Sequence, residues 1–212
     1  EDIFEDIGVN ELQKKLYFMH SQIQAGNVQL NDFFRVIECL VGHRPKRFAF
    51  CGPQPELHKN LSLSENIFLE APHGIINNEK SRRNFTQQNF GGNVYLYQLF
   101  ERLSYPEALG HEVSHLTQKL VAVIRTLLHP DPYLFLVAPQ HGMDRTCMEL
   151  LAKTLLLEQT LNQKIILVAG WPLSDWPLSS KVPVLQMEKK LQDGPTVVSV
   201  IHASGQDNKL AS

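Results

Sequence analysis

Three short apolar runs bounded by turn signals constrain this chain more than anything else in it. Phe48-Ala49-Phe50-Cys51 stops at Gly52-Pro53, Tyr133 to Val137 follows His129-Pro130, and Lys164 to Val168 leads into Ala169-Gly170. Runs of this length and composition read as buried strands. A helical stretch from about Asp144 to Gln159 separates the last two, and strands joined through helices imply βαβ units in a parallel sheet. Further strands are predicted over Leu16 to Gln24, closing at Ala25-Gly26, and over Val182 to Met187. Asp32 is placed to cap a helix through Phe33, Val36, Ile37 and Leu40 that Gly42 stops. Ser104 with Glu107 three residues on reads as a capping box, with Pro106 in the first turn, for a helix from near Tyr105 to Leu128. Tyr95, Leu96, Leu99 and Phe100 recur at helical spacing and are expected to pack. Residues 74–93, with Asn77-Asn78, Ser81-Arg82-Arg83 and Gly91-Gly92, are expected to form an exposed insertion.

At 212 residues the chain is long enough to bury a full core as one domain. Twenty basic against 22 acidic residues leave a net charge of -2, which argues against a nucleic-acid sleeve or a polybasic anchor. Cys39, Cys51 and Cys147 lack CxxC spacing and read as buried thiols in a reducing compartment. No apolar run approaches the roughly 18 residues of a membrane span, and no leader pattern opens the sequence. The expectation is a soluble, cytoplasmic protein that reaches a membrane only peripherally, through partners.

The order of these elements, from Ile3 to about Pro195, resembles the ATPase subunit of an ABC transporter, in particular those of bacterial phospholipid-transport complexes. PQPELHKNLSLSENIFL, Pro53 to Leu69, is similar to the Q-loop and the segment after it, which puts the Q-loop glutamine at Gln54. RTLLHPDPYLFLVAPQHGMD, Arg125 to Asp144, resembles the helix, Walker B strand and D-loop. KIILVAGWP from Lys164 and VLQMEKKLQDGP from Val184 resemble the switch strand and closing hairpin. The resemblance implies a P-loop-NTPase-like α/β fold: a mostly parallel sheet flanked by helices, with a core over 1–58 and 119–212 and a small helical subdomain over about 60–118.

Departures from the family pattern carry the functional expectation. A P-loop wraps backbone N–H groups around phosphates, with a lysine on the terminal phosphates and a Ser/Thr on magnesium. The pattern expects it between a strand like Gln22 to Leu30 and a helix like Asp32 to Val41, where Leu30 runs directly into Asn31-Asp32, so the loop reads as deleted. The magnesium aspartate falls at Val137, the catalytic glutamate at Ala138 and the switch histidine at Gly170. The signature loop, expected between Leu116-Thr117 and Gln118-Lys119, lacks its glycines. The resemblance therefore implies a degenerate ATPase with no cofactor and no catalysis, serving as a scaffold or regulatory subunit of a membrane-associated complex. Gln54 and Asp144 read as a turn and a cap residue.

Relatives of this kind dock a membrane subunit beside the Q-loop, which by analogy points to Gln54 to Glu70, with residues 94–110, as the partner surface. Within it Leu57, Leu61 and Leu63 are apolar in a polar stretch. Gly142-Met143-Asp144 is the natural contact for an intact ATPase subunit, and Trp171 and Trp176, flanking prolines in a loop, are candidate exposed anchors.

A rival reading comes from His111-Glu112-Val113-Ser114-His115, a literal HExxH. On one helix, residues four apart share a face, so His111 and His115 would hold zinc with Glu112 as the base of a metallohydrolase. Glu149, Glu158, His129 and His141 all qualify as a third ligand, and the longer HExxHxxGxxH pattern is not met.

Overall fold

The computed structural model describes residues 16–20, 30–71, 85–178, 184–188 and 197–201. In chain order the elements are β1 (Leu16–His20), α1 (Leu30–Val41), β2 (Ala49–Cys51), α2 (Leu63–Phe68), α3 (Val94–Glu101), α4 (His115–Leu128), β3 (Tyr133–Val137), α5 (Arg145–Asn162), β4 (Ile165–Ala169), β5 (Val184–Glu188) and β6 (Val197–Ile201). The strands form one sheet in the order β2-β3-β4-β1-β5-β6. The first five run parallel, and only β6 pairs antiparallel, with β5. Every parallel strand therefore ends at the same edge, where open α/β sheets bind their ligands.

Alternation along the strands sorts two apolar layers. Leu16, Phe18, Leu134, Leu136, Ile166 and Val168 face a core built with α2, α3, α4 and α5, while Tyr17, Met19, Phe135, Val137, Leu167 and Ala169 face α1. Helix α1 meets them with Phe33, Phe34, Val36 and Ile37, whereas Asn31, Arg35 and Glu38 stay exposed. The rings of Phe33 and Phe48 stack on Phe135 with centroids 5.0 and 5.5 Å away. Gly42, at φ 76°, ends α1 as expected, in a conformation that suits a residue without Cβ.

Several boundaries differ from the sequence reading. Strand β1 stops at His20, and Leu30 is the first residue of α1 rather than the end of a strand. Asp32 lies inside that helix, buried, instead of capping it. No helix starts at Tyr105. The backbone there is used for tertiary pairing: the carbonyls of Pro106 and Ala108 accept from the Ser64 and Leu63 amides, each at 2.9 Å. The side-chain cap expected at Ser104 is found at Ser62, whose Oγ accepts the Glu65 amide while Glu65 Oε2 accepts the Ser62 amide at 2.9 Å. The buried Asn66 side chain accepts from the His58 amide at 2.7 Å and donates to the carbonyls of His58, Leu61 and Ser62, which fixes the 58–62 turn. Of the expected insertion, residues 86–88, 91 and 92 are exposed as expected, but the segment is anchored from within: Phe85 stacks on Phe68 at 4.5 Å and Phe90 has no exposed surface. Its remaining residues lie outside those described.

A buried polar network joins α3 to the rest. Asn93, which caps α3, donates to the Thr154 carbonyl and to Glu158 Oε2, both at 3.1 Å. Glu158 Oε1 pairs with Lys164 Nζ at 2.8 Å, and that ammonium also reaches the carbonyls of Leu127 and His129 at 2.8 Å. Each group is both buried and partnered, as a buried charge requires.

Candidate functional site at the carboxyl edge of the sheet

Five connections leave this edge, one after each parallel strand, and the last, residues 189–196 between β5 and β6, lies outside the described residues. Residues 21–29 join β1 to α1, so the slot between them is present, and the expectation of a deleted loop is corrected by where the two elements lie. In sequence the slot reads Ser21-Gln22-Ile23-Gln24-Ala25-Gly26-Asn27-Val28-Gln29, with Asn27 and Val28 after Gly26 where a P-loop has Lys and Ser/Thr. The structure of these residues lies outside those described.

After β2 the chain turns through Gly52, Pro53 and Gln54. Helix α4 holds this turn with three side chains. His115 Nε2 meets the exposed Gln54 Oε1 at 2.8 Å, Lys119 Nζ donates to the carbonyls of Gly52 and Pro53, and Arg125 donates to the Glu56 carbonyl at 2.7 Å. The same Lys119 ammonium donates to the carbonyl of Val137 at 3.0 Å, so it bridges the ends of β2 and β3. Burial pushes Lys119 below the usual lysine range. Burial also pushes the neighbouring Cys51 thiol up, which keeps it neutral despite the cation.

After β3, Val137 is fully buried on the α1 side and Ala138 adopts φ 43°, a left-handed conformation costly for a residue with a Cβ. The Ala138 amide still donates to the Ala169 carbonyl at 2.7 Å, and Ala138 in turn accepts from the His141 amide at 3.1 Å. Gly142 at φ 77° closes this turn, and a Cβ there would lie 2.0 Å from Leu116 Cδ2. Asp144 caps α5 by accepting the Cys147 amide at 2.7 Å, a bond that holds its carboxyl below the usual carboxylate range.

After β4, Gly170 accepts from Gln140 Nε2 at 2.9 Å. Trp171 is only 4% exposed and Trp176 is half-buried, their centroids 5.0 Å apart and both edge-on to Phe18. The expectation of exposed tryptophan anchors is corrected: both rings fill the space above β1. The indole N–H groups of both, and Oε1 of Gln140, are buried without a hydrogen-bond partner among the described residues.

Among the leucines of the expected partner surface, Leu63 has no exposed surface and belongs to the core, while Leu57 and Leu61 are half-buried. Pro53, Gln54, Glu56, His58, Lys59, Asn60, Leu69 and Glu70 are exposed there, and Tyr105, within the expected 94–110 stretch but not singled out from the sequence, is 74% exposed. Its only signal was its place before a proline in a stretch misread as helix.

The zinc reading also fails on geometry. Gly110–Glu112 is a short 3-10 turn, Val113 is extended, and His115 begins α4, so the two imidazoles do not share a helix face. Glu112 Oε2 accepts the Leu109 amide at 2.7 Å, and Ser114 caps α4. Of the third-ligand candidates, Glu158 is taken by Lys164, Glu149 by Arg145 at 3.3 Å, and His129 contacts Asp131 and Glu70 at the opposite edge of the sheet. No group of three His, Cys, Asp or Glu among the described residues is placed to hold a metal.

No family model matches the chain, and no curated protein matches it in sequence. Solved structures do. The ATP-binding subunit of an ABC transporter superposes with TM-score 0.53 at 12% identity, covering 82% of this chain and 75% of that one. The fold is that of an ATP-binding cassette. A dimeric cassette in a post-hydrolysis state with ADP and Pi gives 0.50 at 14% identity over 85% of this chain and 83% of that one. RNase-L Inhibitor gives 0.58 at 12% identity over 84% of this chain but 33% of its own length. In this cassette-like frame, Gln54, Val137, Ala138, Asp144 and Gly170 all lie at or just beyond the carboxyl edge, on the three described connections. No helix among the described residues is long and apolar enough to cross a membrane.

Proposed function

We propose that this chain is a catalytically silent relative of ATP-binding-cassette ATPases and works as a scaffold or regulatory subunit of a membrane-associated transport complex, in the manner of the bacterial phospholipid transporters its sequence resembles. The observation that carries the reading is the end of β3. Where a magnesium carboxylate would project, Val137 is wholly buried among apolar groups, and the cation held at this edge is a lysine bound to backbone carbonyls. Asn27 and Val28 in the first connection point the same way, since neither supplies a charge for phosphate nor a hydroxyl for magnesium. Partners would be a membrane subunit at the surface around Gln54 and Tyr105, or an intact ATPase subunit at Gly142 to Asp144; no cofactor is needed.

The test is binding of Mg-ATP followed by thermal melting. A ligand at 100 times its Kd stabilises the native state by about 2.7 kcal/mol, enough to move the Tm by several degrees. Millimolar Mg-ATP is expected to leave the Tm unchanged and to show no turnover above a buffer blank. A reproducible upward shift, or hydrolysis lost on heat denaturation, overturns the reading.

A further inference from the structure

The ammonium of Lys119 is a cation built into the place where this fold accommodates a ligand. The residue is 2% exposed, and its acceptors are the backbone carbonyls of Gly52, Pro53 at 3.4 Å and Val137 at 3.0 Å. An ammonium carries three donors, and these three carbonyls are within their reach. No ion pair to Lys119 is found among the described residues, and its nearest ionisable neighbour is the Cys51 thiol. The two strands it joins end side by side, with Cys51 paired to Leu136. The carbonyls of Gly52 and Pro53, just past the end of β2, and of Val137, the last residue of β3, converge on this one ammonium.

Position on α4 adds a second argument. Lys119 and His115 are four residues apart, on one helix face, and His115 holds Gln54 while Lys119 holds the two carbonyls before it. Arg125 then holds Glu56. One rigid helix thus fixes residues 52–56 at successive points.

We infer that Lys119 acts as an internal lock, holding the turn after β2 against the end of β3 so that the Pro53–His58 surface keeps a single shape without any nucleotide. The inference rests on the catalytically silent reading for its purpose and on geometry for its existence. Elsewhere a bound ion or ligand would have to arrive before two strand ends with converging carbonyls were bridged; here the bridging cation is tethered to α4 and always present. A neutral side chain of similar length takes this donor away from the carbonyls of Gly52, Pro53 and Val137, and the bond to Val137 is buried, so its loss costs more than that of an exposed hydrogen bond.

Hydrogen exchange followed by mass spectrometry tests the lock in the intact chain. Peptides covering 52–58 are expected to be protected in the wild type, equally with and without Mg-ATP. Lys119→Met is expected to speed exchange there and in 138–142 by about tenfold or more while α1 keeps its protection. Unchanged exchange at 52–58 in that variant overturns the inference. Lys119→Ala supplies a readout that packing alone does not move: butylammonium should restore protection, or raise the Tm if the variant is globally loosened, and butanol at the same concentration should not. Equal rescue by butanol reduces Lys119 to a space filler and also overturns the lock. Exchange at 52–58 that responds to Mg-ATP in the wild type defeats the silent-ATPase reading instead, while the lock is still decided by the two variants.

Discussion

The turns that end β2 and β4 lie at one edge of one sheet and are built on opposite principles. The first, residues 52–56, is held by polar ties from α4 to backbone carbonyls and to Gln54, and leaves Pro53, Gln54 and Glu56 in solvent. The second, residues 170–176, is held by aromatic mass: Trp171 and Trp176 pack edge-on to Phe18, and their own N–H groups find no partner among the described residues. Polar ties to the backbone spare side chains for other work. Apolar packing consumes them. The contrast teaches where a partner can be met, because a surface can be both fixed and available only on the first plan.

The largest expected effect breaks that contrast directly. Trp171→Ala should cost about 3–5 kcal/mol in urea unfolding, the range for removing a buried aromatic ring, whereas Gln54→Ala should cost under about 1 kcal/mol. Both tryptophans of the chain sit in this one crossover, so intrinsic fluorescence reports on it alone. Near-equal costs for the two substitutions would show that the turns are not held differently.

A smaller effect sharpens the apolar side of the comparison. Tyr17 of β1 has no exposed surface, and burial pushes its phenol from 10.0 up to about 12. A folded pKa raised above the unfolded one means the associated stability is complete below pH 10 and lost as pH climbs through about 12. The gap corresponds to roughly 2–3 kcal/mol. Tyr17→Phe should therefore lose less stability than wild type between those limits in alkaline unfolding, and parallel curves would show that the phenol is not the group responsible. Lys119 works in the opposite direction, since its lowered pKa makes stability rise with pH as it approaches the ordinary lysine value, so the two slopes are separable by variant.

The smallest effect lies at the end of β3, between the two turns. Ala138→Gly removes a left-handed conformation from a residue with a Cβ and should stabilise the protein by about 1 kcal/mol, less the entropy glycine brings to the unfolded chain. A loss of stability would mean that the Ala138 methyl, 7% exposed within the α1-side core, contributes more than its backbone costs.

The parts of this fold legible from sequence were those governed by local pattern. The run Tyr133 to Val137 is β3 residue for residue, the stop at Gly42 is real, and Asp144 caps α5 as its position suggested. What failed was decided by distant partners. Ser104, Pro106 and Glu107 carry every local mark of a helix start, but their backbone is recruited by Leu63 and Ser64. His111 and His115 sit four apart as ligands would, yet an extended Val113 between them turns the spacing into an accident. Trp171 looked exposed because it stands beside a proline in a loop, and only the empty space over Phe18 explains why it is not. The first connection was misread because the strand before it was placed over Gln22 to Leu30: with β1 ending at His20 and α1 starting at Leu30, residues 21–29 lie between them. The Lys119 bridge had no sequence signal, since its acceptors are backbone carbonyls that any residues would provide.

The bond chain from Asn93 through Glu158 to Lys164, and on to the carbonyls of Leu127 and His129, has a mechanical meaning. It bolts the start of α3 to α5, to the entry of β4 and to the last turn of α4. A pull on the start of α3 is thus passed through these bonds to α5, to the end of α4 and to the sheet itself.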